Sequence, residues 1–210
     1  MRGTERSPIH TEVRVGDYGN GNYTAIESDG TIVSRGNATT WGDLTGSLVA
    51  NRLESVAGKL QYDYNENAIV MQSGGSLGNS TDRLIFNFQY PHGAITNGMM
   101  RLHIHWDQTS TNQIEWTTQY RIQNNGVEKT TAWTTAPVTN SVDDSKYPYV
   151  SGSINQITEL ANVDMTGASL SATVQFRVVR TDNTVGDIEA TFVNAHIEED
   201  TMGSREEYVK

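Results

Sequence analysis

Two histidines separated by one residue, His103-Ile104-His105, are the side chains of this sequence most suited to chemistry. On a β-strand the side chains at positions i and i+2 point to the same side, roughly 7 Å apart, so both imidazoles could approach one metal ion. A mononuclear site needs further ligands. The sequence offers four candidates without placing them in space: His92, Asp107, Glu115 and His196.

Three interpretations of this pair stay open. The first takes the histidines as hydrogen-bonding residues on a polar or subunit-contact face. The second is a metal site within one chain, and the third is a metal site on a symmetry axis to which several subunits each contribute their pair. The pattern resembles the cupins, jelly-roll enzymes that carry His-x-His on a strand, but the glutamate and the glycine-bounded turns of that family are missing. We favour the first interpretation, and expect no cofactor and no enzymatic activity.

Other catalytic arrangements find little support in the sequence. No Gly-x-Ser-x-Gly elbow occurs, which argues against a hydrolase nucleophile of that type. The acidic stretches at 143–147 and 198–200 lack the spaced oxygen ligands of a calcium loop. Four aromatic residues are candidates for a sugar-stacking or assembly surface, although aromatics also fill sandwich cores. They are Tyr120, Trp133, Tyr147 and Tyr149.

The elements that position these residues are predicted to be β-strands. Apolar residues alternate with polar ones in 83–90, 114–123 and 170–180, and alternation of this kind indicates antiparallel sheets with one buried face. In 99–107 the same alternation places Leu102, Ile104 and Trp106 in the core and both histidines on the opposite face. The segment 188–197 has apolar residues on both faces, so we expect it to be covered on both sides.

The predicted architecture is an all-β, antiparallel, jelly-roll-like β-sandwich with an extended N-terminal arm. Residues 1–40 form the arm, in which Asp29-Gly30 predicts a small hairpin turn between Ile26 and Ile32. Residues 41–210 form the sandwich and a short C-terminal tail. The stretch from about 130 to 160 is expected to cross between the sheets, as a jelly roll requires.

Composition excludes several classes of partner. The net charge is -10 without a cluster of Lys and Arg, which disfavours a nucleic-acid partner. The chain contains no cysteine, so it has neither disulfides nor thiolate metal sites. No run of 18 apolar residues occurs, which favours a soluble protein made in the cytoplasm without a membrane partner.

Three short motifs carry a resemblance to a protein family. They are Pro91-His92, His103-Ile104-His105-Trp106, and Gly203-Ser204-Arg205-Glu206-Glu207-Tyr208. In these motifs and their order the chain resembles a family of virion structural proteins of tailed bacteriophages and prophages. The resemblance implies a virion location after synthesis in the bacterial host cytoplasm. It also implies assembly with copies of itself, as a homotrimer, and with other virion proteins.

The resulting functional hypothesis is an accessory or decoration subunit of the phage head, or of the neck, tail or fibre base. An arm with its own strands suits assembly, because a strand given to a neighbour buries backbone groups that would otherwise be exposed. The alternative is a module of a phage adhesion apparatus that binds host surface polysaccharide through exposed aromatic residues.

Overall fold

Strands account for nearly all the regular structure of the described part of the chain. A computed structural model describes residues 12–28, 30–38, 40–47, 52–54, 60–65, 67–72, 83–108, 114–128, 130–136, 140–141, 156–181 and 186–202. The strands are β1 (Glu12–Asp17), β2 (Asn22–Glu27), β3 (Ile32–Arg35), β4 (Thr40–Ser47), β5 (Arg52–Glu54), β6 (Leu60–Asp63), β7 (Ala68–Met71), β8 (Arg83–Gln89), β9 (Met99–Gln108), β10 (Glu115–Gln123), β11 (Thr134–Thr135), β12 (Asn140–Ser141), β13 (Gln156–Asp164), β14 (Thr173–Arg180), β15 (Ile188–Glu199) and β16 (Thr201–Met202). Single 3-10 turns lie at Tyr18–Asn20 and Gly36–Ala38.

Two antiparallel sheets pack against each other. Sheet 1 has the strand order β11-β10-β14-β8-β5, with β12 also paired to β10. Sheet 2 has the order β13-β9-β15-β7-β6, with β4 also paired to β15. The long strand β15 pairs with β9 along one edge, while β7 and β4 share its other edge. The predicted jelly-roll-like β-sandwich is therefore confirmed.

The core lies between the inner faces of these two sheets. The alternation predicted for β8, β9, β10 and β14 is confirmed, because the apolar set of each strand is buried in one cluster. Trp106 of β9 meets Trp116 of β10 edge-on, with ring centroids 6.1 Å apart, and so links sheet 2 to sheet 1. The Trp106 indole Nε1 donates a hydrogen bond of 2.9 Å to Thr158 Oγ1, which satisfies its polar atom inside the core.

The prediction that the segment forming β15 is covered on both faces is wrong. Its apolar residues are not divided between two covered faces. A β-bulge between Ala190 and Phe192 shifts the register against β9, so that Ala190 and Val193 both point into the core. Phe192 is left on the opposite face, beside His105. The bulge adds one residue to β15, so the core-facing residues before and after it do not follow a single two-residue period. This explains the mixed pattern in the sequence.

The stretch after β10 does cross between the sheets. Strands β11 and β12 pair with β10 in sheet 1, and the next strand, β13, lies in sheet 2 beside β9. Most of the segment between β12 and β13 lies outside the described residues. Among the described residues, no helix is long and apolar enough to span a membrane.

The N-terminal strands form a third sheet with the order β1-β2-β3-β16. The hairpin predicted between Ile26 and Ile32 is confirmed, since these two residues are cross-strand partners, and Gly30 has a positive φ of 91°. Asp29 lies outside the described residues. The sheet, which we call the arm sheet, is larger than the single predicted hairpin. Its fourth strand, β16, follows β15 after Asp200, whose carbonyl accepts a hydrogen bond from Ser34 N.

Candidate functional site

His103 and His105 lie on the outer face of sheet 2, opposite the core, as the strand period predicts. Strand β15 places Asn194 opposite His103 and Phe192 opposite His105, while β13 places Glu159 on the other side of His103. Strand β4 adds Asp43 opposite His196 of β15. Four adjacent strands thus build one surface. We call it the histidine face, and it comprises Asp43, His103, His105, Glu159, Asn194 and His196.

Ring contacts give the histidine face its packing. The His103 and His196 rings lie 4.3 Å apart between centroids at an interplanar angle of 49°. The His105 ring stacks on Phe192 at 3.9 Å and 17°. His105 is buried and the His103 side chain retains 13% of its exposure. The pair therefore lies outside the sandwich core but is largely withdrawn from solvent by its neighbours on the same sheet.

The Asn194 amide connects two of the histidines. His105 Nε2 lies 3.2 Å from Asn194 Oδ1, and Asn194 Nδ2 lies 2.8 Å from His196 Nε2. With the amide in this orientation, His105 Nε2 donates to Asn194 Oδ1 and Asn194 Nδ2 donates to His196 Nε2. His196 Nε2 also lies 3.0 Å from Asp43 Oδ1. The predicted cross-strand hydrogen bonding of this pair is confirmed for His105.

Protonation of His103 is opposed by its surroundings. Burial lowers the pKa of His103 from its ordinary value of 6.5 to about 4, and the nearby His196, His105 and Arg101 act in the same direction while Asp43 opposes them. Glu159 Oε2 lies 3.7 Å from His103 Nε2. His103 Nδ1 is buried without a hydrogen-bond partner among the described residues. The neutral imidazole is therefore the form that this site holds.

Of the four further metal-ligand candidates, His196 and Asp107 share the outer face of sheet 2 with the pair. The tilted His196 ring contacts His103, and Asp107 follows His105 on β9. Glu115 belongs to β10 in sheet 1, and His92 bonds to Ser171. No three His, Asp or Glu side chains of the described ranges are arranged to hold a metal ion. A metal on a symmetry axis, bound by His103 and His105 of several subunits, stays a prediction.

The Pro91-His92 motif joins two loops. His92 Nε2 lies 2.6 Å from Ser171 Oγ, and Ser171 has a positive φ of 62°. A serine hydrogen-bonded to a histidine is part of the arrangement that activates a serine nucleophile, but Ser171 is only 8% exposed. The amides of Ser171 and Ala172 donate to Tyr90 O and Ser169 O, so neither is available to stabilise an oxyanion. The arrangement fits a structural clamp.

The predicted aromatic surface is divided by the fold. Tyr120 of β10 packs against the core beside its cross-strand partner Phe176. Trp133 instead lies over the outer face of sheet 1, with its ring centroid 4.5 Å from the Arg121 guanidinium carbon and 4.4 Å from that of Arg177. These two residues therefore do not share one platform. Tyr147 and Tyr149 lie outside the described residues.

Trp133 sits on a ladder of polar side chains. Arg121 Nε donates to Gln175 Oε1 at 2.5 Å, and Gln175 Nε2 donates to Asn87 Oδ1 at 2.7 Å. In the next row, Arg177 Nε donates to Gln119 Oε1 at 2.6 Å. The outer face of sheet 1 thus combines one indole with two fixed guanidinium groups and several amides.

The fold places the chain in the class of antiparallel β-sandwich proteins. No protein-family model and no curated protein matches its sequence. Among solved structures it is similar to the CBM36-1 domain of a multidomain xylanase from the hindgut metagenome of Trinervitermes trinervoides, with 10% identity and a TM-score of 0.41 over 78% of this chain and 98% of that one.

Two larger proteins show a similar relationship. A family two carbohydrate esterase from Cellvibrio japonicus has 10% identity and a TM-score of 0.36, over 80% of this chain and 36% of that one. The enzymatically active domain of tailspike protein 4 from Bacteriophage CBA120 has 11% identity and a TM-score of 0.30, over 73% of this chain and 19% of that one. The chain thus spans about a third or less of these two proteins. Likenesses this distant carry no argument about function.

Proposed function

We propose that the chain is a non-catalytic structural subunit of a bacteriophage particle. It acts as an accessory or decoration subunit of the head, or of the neck, tail or fibre base, and it works by assembling with copies of itself and with other virion proteins. The phage assignment is supported by the motif resemblance described above. The assembly role is supported by one structural observation, the uncovered apolar face of the arm sheet.

The two faces of the arm sheet differ sharply in burial. On one face Ala25 and Val33, which are cross-strand partners, are buried. On the other, Val13, Val15 and Ile26 are 52%, 67% and 45% exposed. Val13 and Ile26 are direct cross-strand partners, so these side chains form one surface and are not scattered. A contiguous exposed apolar surface is typical of a protein-protein contact.

Substitution of both exposed valines of β1 tests the assembly role. The double variant Val13→Ser, Val15→Ser should sediment as a smaller species than the wild-type chain at equal concentration, because it removes much of the apolar contact. Val127→Ser is the matched control, since Val127 is 59% exposed in a loop beyond β10. An unchanged mass for the β1 variant, with an unchanged unfolding midpoint, would exclude the arm sheet as the assembly surface.

A second candidate function, binding of host surface glycan in a phage adhesion apparatus, is favoured by Trp133. An indole beside two arginines is suited to stacking on a sugar ring while pairing with its acidic groups. We expect alginate, an anionic polysaccharide, to retard the chain in affinity electrophoresis and neutral dextran to leave it unaffected. Trp133→Ala should abolish the retardation, and Trp41→Ala, which removes an exposed indole from sheet 2, should not. Equal mobility with and without alginate would exclude this candidate.

A further inference from the structure

Strand β4 forms an open edge of sheet 2. It pairs with β15 along one side, and no other described strand pairs with it. Ile95 N donates to Glu198 O, and Asp200 N donates to Gly93 O. Glu198 and Asp200 therefore turn their peptide groups away from β4. Because peptide groups alternate in direction along a strand, Glu199 turns its own groups towards β4.

The same alternation gives the direction of the peptide groups in β4. Thr40 is the partner of Glu199 and bonds inward to β15, as does every second residue after it. The peptide groups of Trp41, Asp43 and Thr45 therefore point outward, and no hydrogen bond reaches them in the described part of the chain. Unpaired peptide groups in a row are a template for an added strand. β4 contains no proline, lysine or bulge to prevent this.

A groove of about 500 Å³ lies along this open edge, between β4 and β8 of the facing sheet. We call it the β4 groove, and it is lined by residues 43–45, 87–89, 91 and 92. Leu44 and the nearly buried Phe88 give it an apolar floor. The neighbours of Leu44 on the inner side of β4 are Gly42 and Gly46, so β4 itself offers no further side chain to fill the groove.

The β4 groove favours alternating side chains in an added strand. A residue opposite Leu44 shares its inward direction and would contact Leu44 and Phe88, so an apolar residue fits there. A residue opposite Asp43 shares the outward direction of that carboxylate, whose side chain is 66% exposed. Opposite charges that face each other across strands are stabilising, so a lysine or arginine fits there.

We propose that the β4 groove binds an extended segment of a partner protein, which adds to sheet 2 antiparallel to β4. The segment carries an apolar residue opposite Leu44 and a basic residue opposite Asp43. The antiparallel direction follows the other strand pairs of sheet 2, which all have it, and antiparallel ladders are slightly more stable. This inference rests on the proposed function and names the chemistry of a partner that the subunit takes up.

A short synthetic peptide is the probe. In Thr-Val-Thr-Val-Lys-Val-Thr, labelled with fluorescein at its N-terminus, the second valine lies opposite Leu44 and the lysine lies opposite Asp43. Its fluorescence anisotropy should rise and saturate on titration with the wild-type chain, with a dissociation constant below about 1 mM. Exchange of the lysine for glutamate should weaken binding to the wild-type chain and strengthen binding to the Asp43→Lys variant.

N-methylated peptides test whether the two backbones pair. In the proposed register the N–H groups of the lysine and of the central threonine point to β4, and those of the valines point away. N-methylation of that lysine and threonine should raise the dissociation constant about tenfold or more, because it removes two hydrogen bonds. N-methylation of the first two valines is the matched control and should leave the constant nearly unchanged.

The same hydrogen bonds can be removed from the protein side. Thr45→Pro deletes an outward N–H of β4, and proline is tolerated on an edge strand where the N–H faces solvent. The variant should bind the peptide about tenfold or more weakly, whereas Thr45→Val, which keeps the N–H, should bind it like the wild-type chain. An unchanged unfolding midpoint would show that Thr45→Pro still folds.

The outcomes separate this inference from the proposed function. If no peptide binds saturably, or if both N-methylated peptides bind equally, the strand addition is wrong and the assembly role stands. If saturating peptide converts an assembled wild-type chain into monomers, the β4 groove is a contact between copies, and a distinct partner is wrong. Selective peptide binding by a chain that is monomeric at every concentration would support this inference and contradict self-assembly.

Discussion

Replacing Trp106 with alanine is expected to lower the free energy of unfolding by about 3 to 5 kcal/mol. The indole is fully buried between the sheets, against Trp116. Truncation would leave a cavity in a close-packed core, and surrounding residues relax only partly into such a space. It would also remove the donor to Thr158 Oγ1, which is itself buried. Urea denaturation of the wild-type and variant chains measures the difference.

Trp41→Ala is the matched control for this change. Trp41 lies on β4 with 46% of its surface exposed, and the Arg101 guanidinium carbon lies 4.7 Å from its ring centroid. A cation-π contact at an exposed site contributes about 0.5 to 1 kcal/mol, so Trp41→Ala should lower the free energy of unfolding by an amount near that value. Equal midpoints for the wild-type and Trp106→Ala chains would show that the register of β9 is displaced by one residue.

Lowering the pH from about 6.5 to about 4 is expected to destabilise the fold through His103. Its pKa is about 4 in the folded chain and near 6.5 when exposed, so between these values the unfolded chain binds the proton more strongly. The histidine therefore favours folding above pH 6.5, and this contribution falls as the pH is lowered through the window. The full difference between the two pKa values corresponds to at most about 3 kcal/mol in the free energy of unfolding. The groups that face His103 are Arg101 and His105 on β9, His196 on β15, Asp43 on β4 and Glu159 on β13.

Unfolding measurements at pH 7 and pH 4 check this expectation. His103→Gln cannot take up the proton, and its stability should fall less than that of the wild-type chain over the same interval. His92→Gln serves as the control, because His92 bonds to Ser171 and lies apart from the histidine face. Parallel pH profiles for wild type and His103→Gln would mean that other groups carry the acid sensitivity.

The strand period was sufficient to predict much of the sandwich. In β8, β9, β10 and β14, most alternate residues are apolar and buried, and a displacement of one residue would expose most of this apolar set. For that reason the core positions of Leu102, Ile104 and Trp106, and the opposite orientation of His103 and His105, followed from spacing alone. Burial of an alternating strand is a local property that the chain encodes directly.

Features that depend on non-local geometry were beyond such reasoning. The bulge in β15 adds one residue, and it hid which face carries Asn194 and His196. The histidine face is formed by four strands that are distant in the chain. The residues of one strand do not determine its register against a distant strand. The burial of Arg180 is a further feature that the sequence did not predict. It is buried at the end of β14, where its Nη1 donates to Met71 O and Gly186 O.

The mass of the wild-type chain in solution tests the central claim most directly. Sedimentation equilibrium over a hundredfold range of concentration should show a species larger than one chain. The same measurement on the Val13→Ser, Val15→Ser variant should show a shift towards the monomer. A wild-type chain that stays monomeric throughout this range would contradict the assembly role.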